Sequence, residues 1–391
     1  MIKEYFGDGS GISPATGEPF GVSIEYFEET QPLGNAGALM LMREAQLVED
    51  FLLLNADLLF DVDLRRLVDF HHQHHALATL LTHANDHSYD SGLLVCDENQ
   101  MVERWLTKED VRPEFYSNCV NAGIHVLSPK IFDISGIDPC LISQVDAATG
   151  KVFKVDLDRQ ILKPLAGRGG MYVYDSPEYV RDMGTPERLS QAEIDVKNGL
   201  VTRKSLRNPQ KAIFLDRDGT INKYKGYLTE ATDFELLPGV AEAVRKINLS
   251  GYLCIVVTNQ SAIARGEMTA EDLSEIHRKM ETLLGEQGAY VDGIYYCPHK
   301  PDKGFSGEVE ELKIDCSCRK PKPGLLYKAA EEYNIDLAQS WMIGDSWRDV
   351  ECGKQGGTHS CLLSGAEKQE GVAADIICKN LFEAVDSILG A

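Results

Sequence analysis

The sequence predicts a two-domain α/β protein, and three observations predict it. Apolar runs of strand length alternate with helical patterns along most of the chain. The polar stretch Asn198–Gln210, "NGLVTRKSLRNPQ", has no apolar periodicity and interrupts that alternation, which then restarts. A length of 391 residues suits two or three cores.

The expected elements follow in order. The first domain, 1–197, carries strand-like runs at Phe51–Asn55, Ala78–Thr82, Gly92–Cys96 and Ala122–Leu127. Residues 198–210 are expected to be a linker. The second domain, 211–391, is expected to be a doubly wound parallel sheet. Its strands are Ala212–Leu215, Tyr252–Thr258, Gly293–Tyr296, Trp341–Gly344 and Ser360–Leu363. Its helices include Pro238–Asn248, with proline near the first turn, and Thr269–Leu284, with Thr269 as N-cap and Glu271 and Asp272 in the first turn. Tyr333–Ser340 reads as a capped loop and Lys379–Ala391 as a packed terminal helix.

Composition narrows the function. Apolar content of 43% with 26% charged residues is ordinary for a soluble globular protein. A net charge of −22 with no basic run argues against nucleic acid and against an anionic membrane surface as partners. No apolar stretch reaches membrane-spanning length, and the opening "MIKEYFGDGS" lacks the basic and apolar regions of a secretory signal. Ten scattered cysteines do not form a disulfide framework in a chain this long. The cytoplasm is the expected compartment. Nothing in the pattern speaks to oligomeric state.

The chemistry concentrates after residue 211. The strand of "KAIFLDRDGTIN" ends in Asp216 and Asp218, whose side chains project to the same side of an extended segment. Two such charges repel unless a cation joins them, and Mg²⁺ prefers carboxylates, water and phosphate oxygens. Later strand ends add Thr258 with Asn259, Arg319 with Lys320, and Asp345, with Asp349 one turn further on. Carboxylates, a hydroxyl and a lysine at successive strand ends suit phosphoryl transfer through an aspartyl-phosphate. Asp349 has the competing reading of a helix first-turn acid.

A second cluster lies in "GIYYCPHKPDKG…KIDCSCRKPKPG". Cys297, His299, Cys316 and Cys318 can close a tetrahedral zinc site, and four protein ligands make such a site structural. The loop between them has little to pack, so bound zinc would supply its order. Cys318 directly precedes Arg319 and Lys320. The histidines of His71–His75 read as a solvated helix end rather than a metal site.

The order DxDGT, TN, RKP, GD resembles the haloacid dehalogenase-like phosphatases over the whole C-terminal half. The resemblance implies Asp216 as nucleophile and Asp218 as general acid and later base, its proton favoured by neighbouring carboxylates. It implies Thr258 and Lys320 on the phosphoryl group, and Mg²⁺ held by Asp216, Asp345 and the backbone carbonyl of Asp218. Little space separates Thr220 from Thr258, so no large cap domain is expected. Together with the zinc loop, the stretch is closely similar to the D,D-heptose 1,7-bisphosphate phosphatases, which remove the 7-phosphate. That similarity implies a sugar phosphate substrate, with Tyr224, Lys225, Gly226, Tyr227, Asn259, Gln260, Ser261 and Arg319 as its contacts. The sequence departs from the family at Ser346, where lysine is frequent. Histidinol-phosphate phosphatases share the DRDGT and zinc-loop pattern and are the alternative.

The first half, through "PLGNAGAL", "LLLNADLLFDVDL", "NAGIHVLSP" and "YVRDMGTPERL", resembles sugar-1-phosphate nucleotidyltransferases. The resemblance implies Asp57 and Asp182 as Mg²⁺ ligands and Leu33–Leu39 against nucleotide or sugar. The family's first strand and glycine-rich triphosphate loop find no counterpart, and residues 8–20 are longer than the usual loop. Three readings are open: a fragment or wrongly assigned start, a degenerate half that serves as a scaffold, or a half that keeps weak sugar-nucleotide binding. Loss of transfer is the favoured expectation, with a bifunctional heptose 1-phosphate guanylyltransferase as the alternative. A guanylyltransferase for heptose 1-phosphate would use the phosphatase product, which favours heptose and the α-anomer.

Overall fold

The computed structural model describes residues 1–42, 47, 49–135, 153–367 and 373–390. Contacts divide the chain into two units, Met1–Asp50 with Pro129–Leu165, and Phe51–Ser128 with Ala166–Ala391.

The first unit contains helices α1 (Ile2–Phe6), α2 (Gly37–Met42) and α4 (Lys130–Ser135), and a π-helical turn at Leu157–Leu162. Gly34, at φ +90°, presses its backbone onto Val155, where a Cβ would come within 2.3 Å of the Val155 oxygen. That approach lets Val155 donate to the Leu33 carbonyl at 2.7 Å and accept from Ala36 at 3.1 Å. Leu33–Leu39 is thus pinned within this unit.

The second unit holds two large sheets. Strands β1 (Phe51–Leu54), β3 (Ala78–His83), β4 (Leu93–Cys96), β5 (Val102–Leu106), β6 (Val120–Leu127) and β7 (Met171–Asp175) form one, in the order β5-β4-β6-β3-β7 with β1 also on β6. Among the described residues, β3 and β7 pair in parallel and the other pairs of this sheet are antiparallel. β2 (Leu58–Asp61) and β8 (Tyr179–Asp182) form a separate ribbon. Helix α3 (Leu64–Gln73) starts at Asp63, whose carboxylate accepts from Arg65 N. His71 lies four residues after the buried Leu67 and is itself buried, its Nδ1 2.9 Å from Thr79 Oγ1. The expected solvated histidine run is therefore corrected at His71, which the helical period turns to the core.

Residues 198–210 are more than a tether. After α5 (Pro186–Lys197) they form α6 (Leu200–Arg203). The buried Gln210 amide then donates to the carbonyls of Arg203, Ser205 and Asn208. Composition hid this, because the satisfied groups are backbone carbonyls and not apolar side chains.

The second sheet is wholly parallel, as expected, in the order β11-β10-β9-β12-β13-β14. Its strands are β9 (Ala212–Leu215), β10 (Leu253–Asn259), β11 (Gly293–Cys297), β12 (Trp341–Ser346), β13 (His359–Glu367) and β14 (Ile376–Cys378). Side chains alternate between its faces. Ile213, Leu215, Cys254 and Val256 pack with α7 (Val240–Ser250), α8 (Ala270–Gly285) and α11 (Leu381–Leu389). Ala212, Phe214, Leu253 and Ile255 pack with α9 (Gly324–Tyr333) and with Cys352 of α10 (Trp347–Gly356). Thr269 caps α8 in a reciprocal pair with Asp272. The strand order reverses between β9 and β12, and ligands of such sheets bind at the carboxyl ends beside that reversal.

Candidate active site and metal centre

Asp216 follows β9 at the reversal, and its N–H donates to the Ile343 carbonyl of β12 at 3.0 Å. Lys320 is 3% exposed, and its Nζ is 2.8 Å from Asp216 Oδ1 and 2.6 Å from Asp349 Oδ1. The same ammonium donates to the Val257 carbonyl at 2.8 Å. Burial works against the Lys320 charge, but Asp216 and Asp349 outweigh it and hold the group above the ordinary lysine range.

Ligand atoms of Asp216, Asp345 and Asp349 all lie within 4.8 Å of one another. Burial pushes Asp216 up to about 6, with Lys320 opposing it. Burial and then the Asp216 charge push Asp345 to about 6. Burial raises Asp349 as well. Three crowded, partly desolvated carboxylates against one ammonium are a set that a small divalent cation fits.

Gly219 explains the residue after the aspartate pair. It has φ +89°, and a Cβ there would fall 1.9 Å from Asp345 Oδ2. The glycine therefore admits Asp345 to the loop that follows β9. Gly344 does the same for Asp349, whose carboxyl carbon would lie 2.3 Å from an added Cβ. Asp349 also accepts from Ser346 N at 3.0 Å, closing the cap of α10. The S-x-x-D cap was readable in the sequence; the ion pair of Asp349 with Lys320 was not.

Asp218 is not part of that cluster and has hydrogen-bond partners of its own. Arg217 Nη2 lies 2.9 Å from its Oδ2, Gln260 Nε2 donates to Oδ2 at 2.8 Å, and Asn222 Nδ2 donates to Oδ1 at 3.0 Å. Its hydrogen-bond partners are thus N–H donors, while the carboxylates of Asp216 and Asp345 feel its charge. Gln260 Nε2 also reaches Thr258 Oγ1 at 2.9 Å, at the end of β10. Asn259 donates to the Lys320 carbonyl and accepts from the Lys320 N–H, both at 3.0 Å. The amides of Asn259 and Gln260, expected on substrate, are engaged within the protein and position Lys320 and Asp218.

The remaining expected contacts spread around the site. Tyr224 and Tyr227 are 70% and 48% exposed, and Gly226 turns the loop between them at φ +76°. Lys225 faces its own loop, 3.2 Å from Glu235 Oε1. Ser261 is buried. Arg319 donates to the His299 carbonyl at 3.1 Å. A cavity of about 450 Å³ opens beside Asp345, lined by Gly219, Thr220, Tyr224 and Lys379 among others.

The cysteine–histidine set assembles as expected. Cys318 Sγ is 3.2 Å from Cys297 Sγ and 3.3 Å from Cys316 Sγ, and His299 Nδ1 is 3.3 Å from Cys318 Sγ. The four donor atoms all lie within 4.8 Å of one another, a set that fits a cation taking thiolate and imidazole ligands. In the first half, Asp57 and Asp182 also meet. The Met183 N–H donates to the Asp57 carbonyl at 2.8 Å, and Cβ on Gly184 would touch both carboxylates. Asp182 is paired with Arg188 at 2.9 Å. Leu33–Leu39 belongs to the other unit.

A parallel sheet with acids and a buried lysine at its switch point is the framework of a haloacid dehalogenase-like hydrolase. Known proteins agree. Residues 317–384 match the HAD-hydrolase-like family, and residues 1–197 match the nucleotidyl transferase family. A D-glycero-β-D-manno-heptose-1,7-bisphosphate 7-phosphatase of Yersinia pestis is 46% identical over 140 residues, 36% of this chain and 72% of that protein. The one from Photorhabdus laumondii is 40% identical over 183 residues, 46% of this chain and 95% of that protein. A solved D,D-heptose 1,7-bisphosphate phosphatase from B. bronchiseptica, complexed with magnesium and phosphate, is 32% identical and covers 46% of this chain and 99% of its own, with a TM-score of 0.40. The chain belongs to the nucleotidyl transferase family in its first half and to the heptose-1,7-bisphosphate 7-phosphatase family in its second.

Proposed function

We propose that the C-terminal half removes the 7-phosphate of D-glycero-D-manno-heptose 1,7-bisphosphate through a phosphoaspartate at Asp216. The observation that carries this reading is the Lys320 ammonium 2.8 Å from Asp216, beside the cluster of three carboxylates. The names of the relatives supply the sugar.

In the first half-reaction an Asp216 oxygen attacks the phosphorus. The ester P–O bond breaks, its electron pair leaves with the sugar oxygen, and Asp218 gives that oxygen a proton. In the second, Asp218 takes a proton from water, the water oxygen attacks phosphorus, and the bond to Asp216 breaks to release inorganic phosphate. Lys320 and Thr258 hold the phosphoryl oxygens. Asp216, Asp345 and the Asp218 carbonyl would hold Mg²⁺, which when bound offsets phosphoryl charge. Asp349 serves as the counter-charge that orients Lys320. Tyr224, Tyr227 and Arg319, with the Gly226 turn between the tyrosines, would contact the sugar; Lys225 is held in its own loop by Glu235 and Ser261 is buried, while Asn259 and Gln260 act through Lys320 and Asp218. Cys297, His299, Cys316 and Cys318 would hold structural zinc and order the loop that ends in Arg319 and Lys320. Thiolates of this kind persist in a reducing compartment, where we expect the protein to act.

Asp216→Asn should lower turnover by about 10³-fold or more, and beryllium fluoride should bind the wild type at Asp216. Residual turnover within about tenfold of wild type would refute the nucleophile. Comparing α- and β-heptose bisphosphate with histidinol phosphate settles the substrate: the fusion favours the α-anomer, whereas the relatives are named for the β-anomer. Pyrophosphate release from GTP and heptose 1-phosphate is the assay for the first half.

A further inference from the structure

Arg217 stands between the two site aspartates, yet its side chain runs inward and is 0% exposed. A guanidinium keeps its charge at any working pH, and burying one is costly unless it is paired. Its partner is Asp218. Nη2 lies 2.9 Å from Oδ2 and 3.1 Å from Oδ1, and Nε lies 3.3 Å from Oδ1. On the far side, Nη1 is 3.3 Å from Nε2 of His277, a buried residue of α8. A guanidinium can only donate, so Nε2 is the bare, accepting nitrogen of that ring. Burial, then the Arg217 charge, hold His277 well below the ordinary histidine range, which agrees with a neutral acceptor.

We propose that Arg217, braced by His277, is a positioning residue that fixes the rotation of the Asp218 carboxyl toward the oxygen leaving with the sugar. The inference rests on the phosphoaspartate reading above. A carboxyl group free to rotate about its terminal torsion would meet that oxygen in only a fraction of its orientations. Two contacts from one planar fork remove that freedom, and His277 removes the remaining freedom of the fork.

The leaving group discriminates this role from a merely structural one. Heptose leaves as an alkoxide and needs the proton from Asp218; p-nitrophenol leaves as a stable anion and does not. Arg217→Met should lower kcat on the heptose bisphosphate about 100-fold, within the range general acids contribute, but kcat on p-nitrophenyl phosphate less than about fivefold. KM for the bisphosphate should change less than about threefold. His277→Leu should show the same selectivity at about tenfold, and His277→Gln, whose amide oxygen can accept, should restore turnover. If Arg217→Met does not fold, the His277 pair decides by the same criterion. Parallel loss on both substrates, or unchanged turnover of the bisphosphate, would overturn the proposal. Asp216→Asn should abolish both activities alike; if it does not, the phosphoaspartate reading fails whatever Arg217 does.

Discussion

Gly219 shows how one missing side chain builds the site. Its positive φ strains any other residue, and Asp345 occupies the space where a Cβ would stand. Gly219→Ala should therefore displace Asp345 and lower turnover by at least about tenfold while the protein remains folded. Wild-type kinetics with unchanged Mg²⁺ dependence would contradict this. The aspartate pair was legible because strand period and residue type converge on it. Arg217 and His277 were not, because a basic residue beside two acids reads as surface charge. Burial of Arg217 depends on where α8 lies, which local pattern does not encode. Asp349 was legible as a cap, but its ion pair with Lys320 joins residues far apart in sequence.

At the level of elements, the parallel sheet was readable because strands buried on both faces give continuous apolar runs. β14 escaped notice: three residues carry no periodicity. The antiparallel pairing of the first sheet also escaped, since alternation reports strands and not their partners. The cysteine–histidine cluster was legible from residue type and spacing alone, and the zinc proposed for it makes a sharp prediction. Cys316→Ser should release zinc, lower the unfolding temperature and reduce turnover, since Cys318 adjoins Arg319 and Lys320. Atomic absorption before and after substitution checks the first effect; a fully active, metal-free wild type would remove the zinc assignment.

At the level of the whole molecule, acid sensitivity follows from buried imidazoles. His125 is 1% exposed in β6, and burial lowers it from 6.5 to about 4. Between those values the unfolded chain binds a proton that the folded chain refuses. Stability is therefore full above about 6.5 and falls as pH drops toward about 4. His83, lowered to about 4 by burial, adds the same slope. His125→Leu should flatten part of the decline in urea midpoint between pH 7 and 5; an unchanged slope would place the effect elsewhere.

Helix α8 has a second neighbour besides the Arg217 brace. Tyr116 N–H donates to Thr282 Oγ1 at 2.9 Å, and Asn118 N–H donates to Glu281 at 3.1 Å. A loop of the transferase-type half therefore grips the same rod whose His277 meets Arg217. The nucleotidyl transferase match ends at residue 197, yet residues 166–197 belong by their contacts to the same unit as the parallel sheet. Drift in the first half is thus not free to run on unnoticed: a change that loosens residues 115–118 would be felt, one helical turn along, by the hydrolytic chemistry of the second.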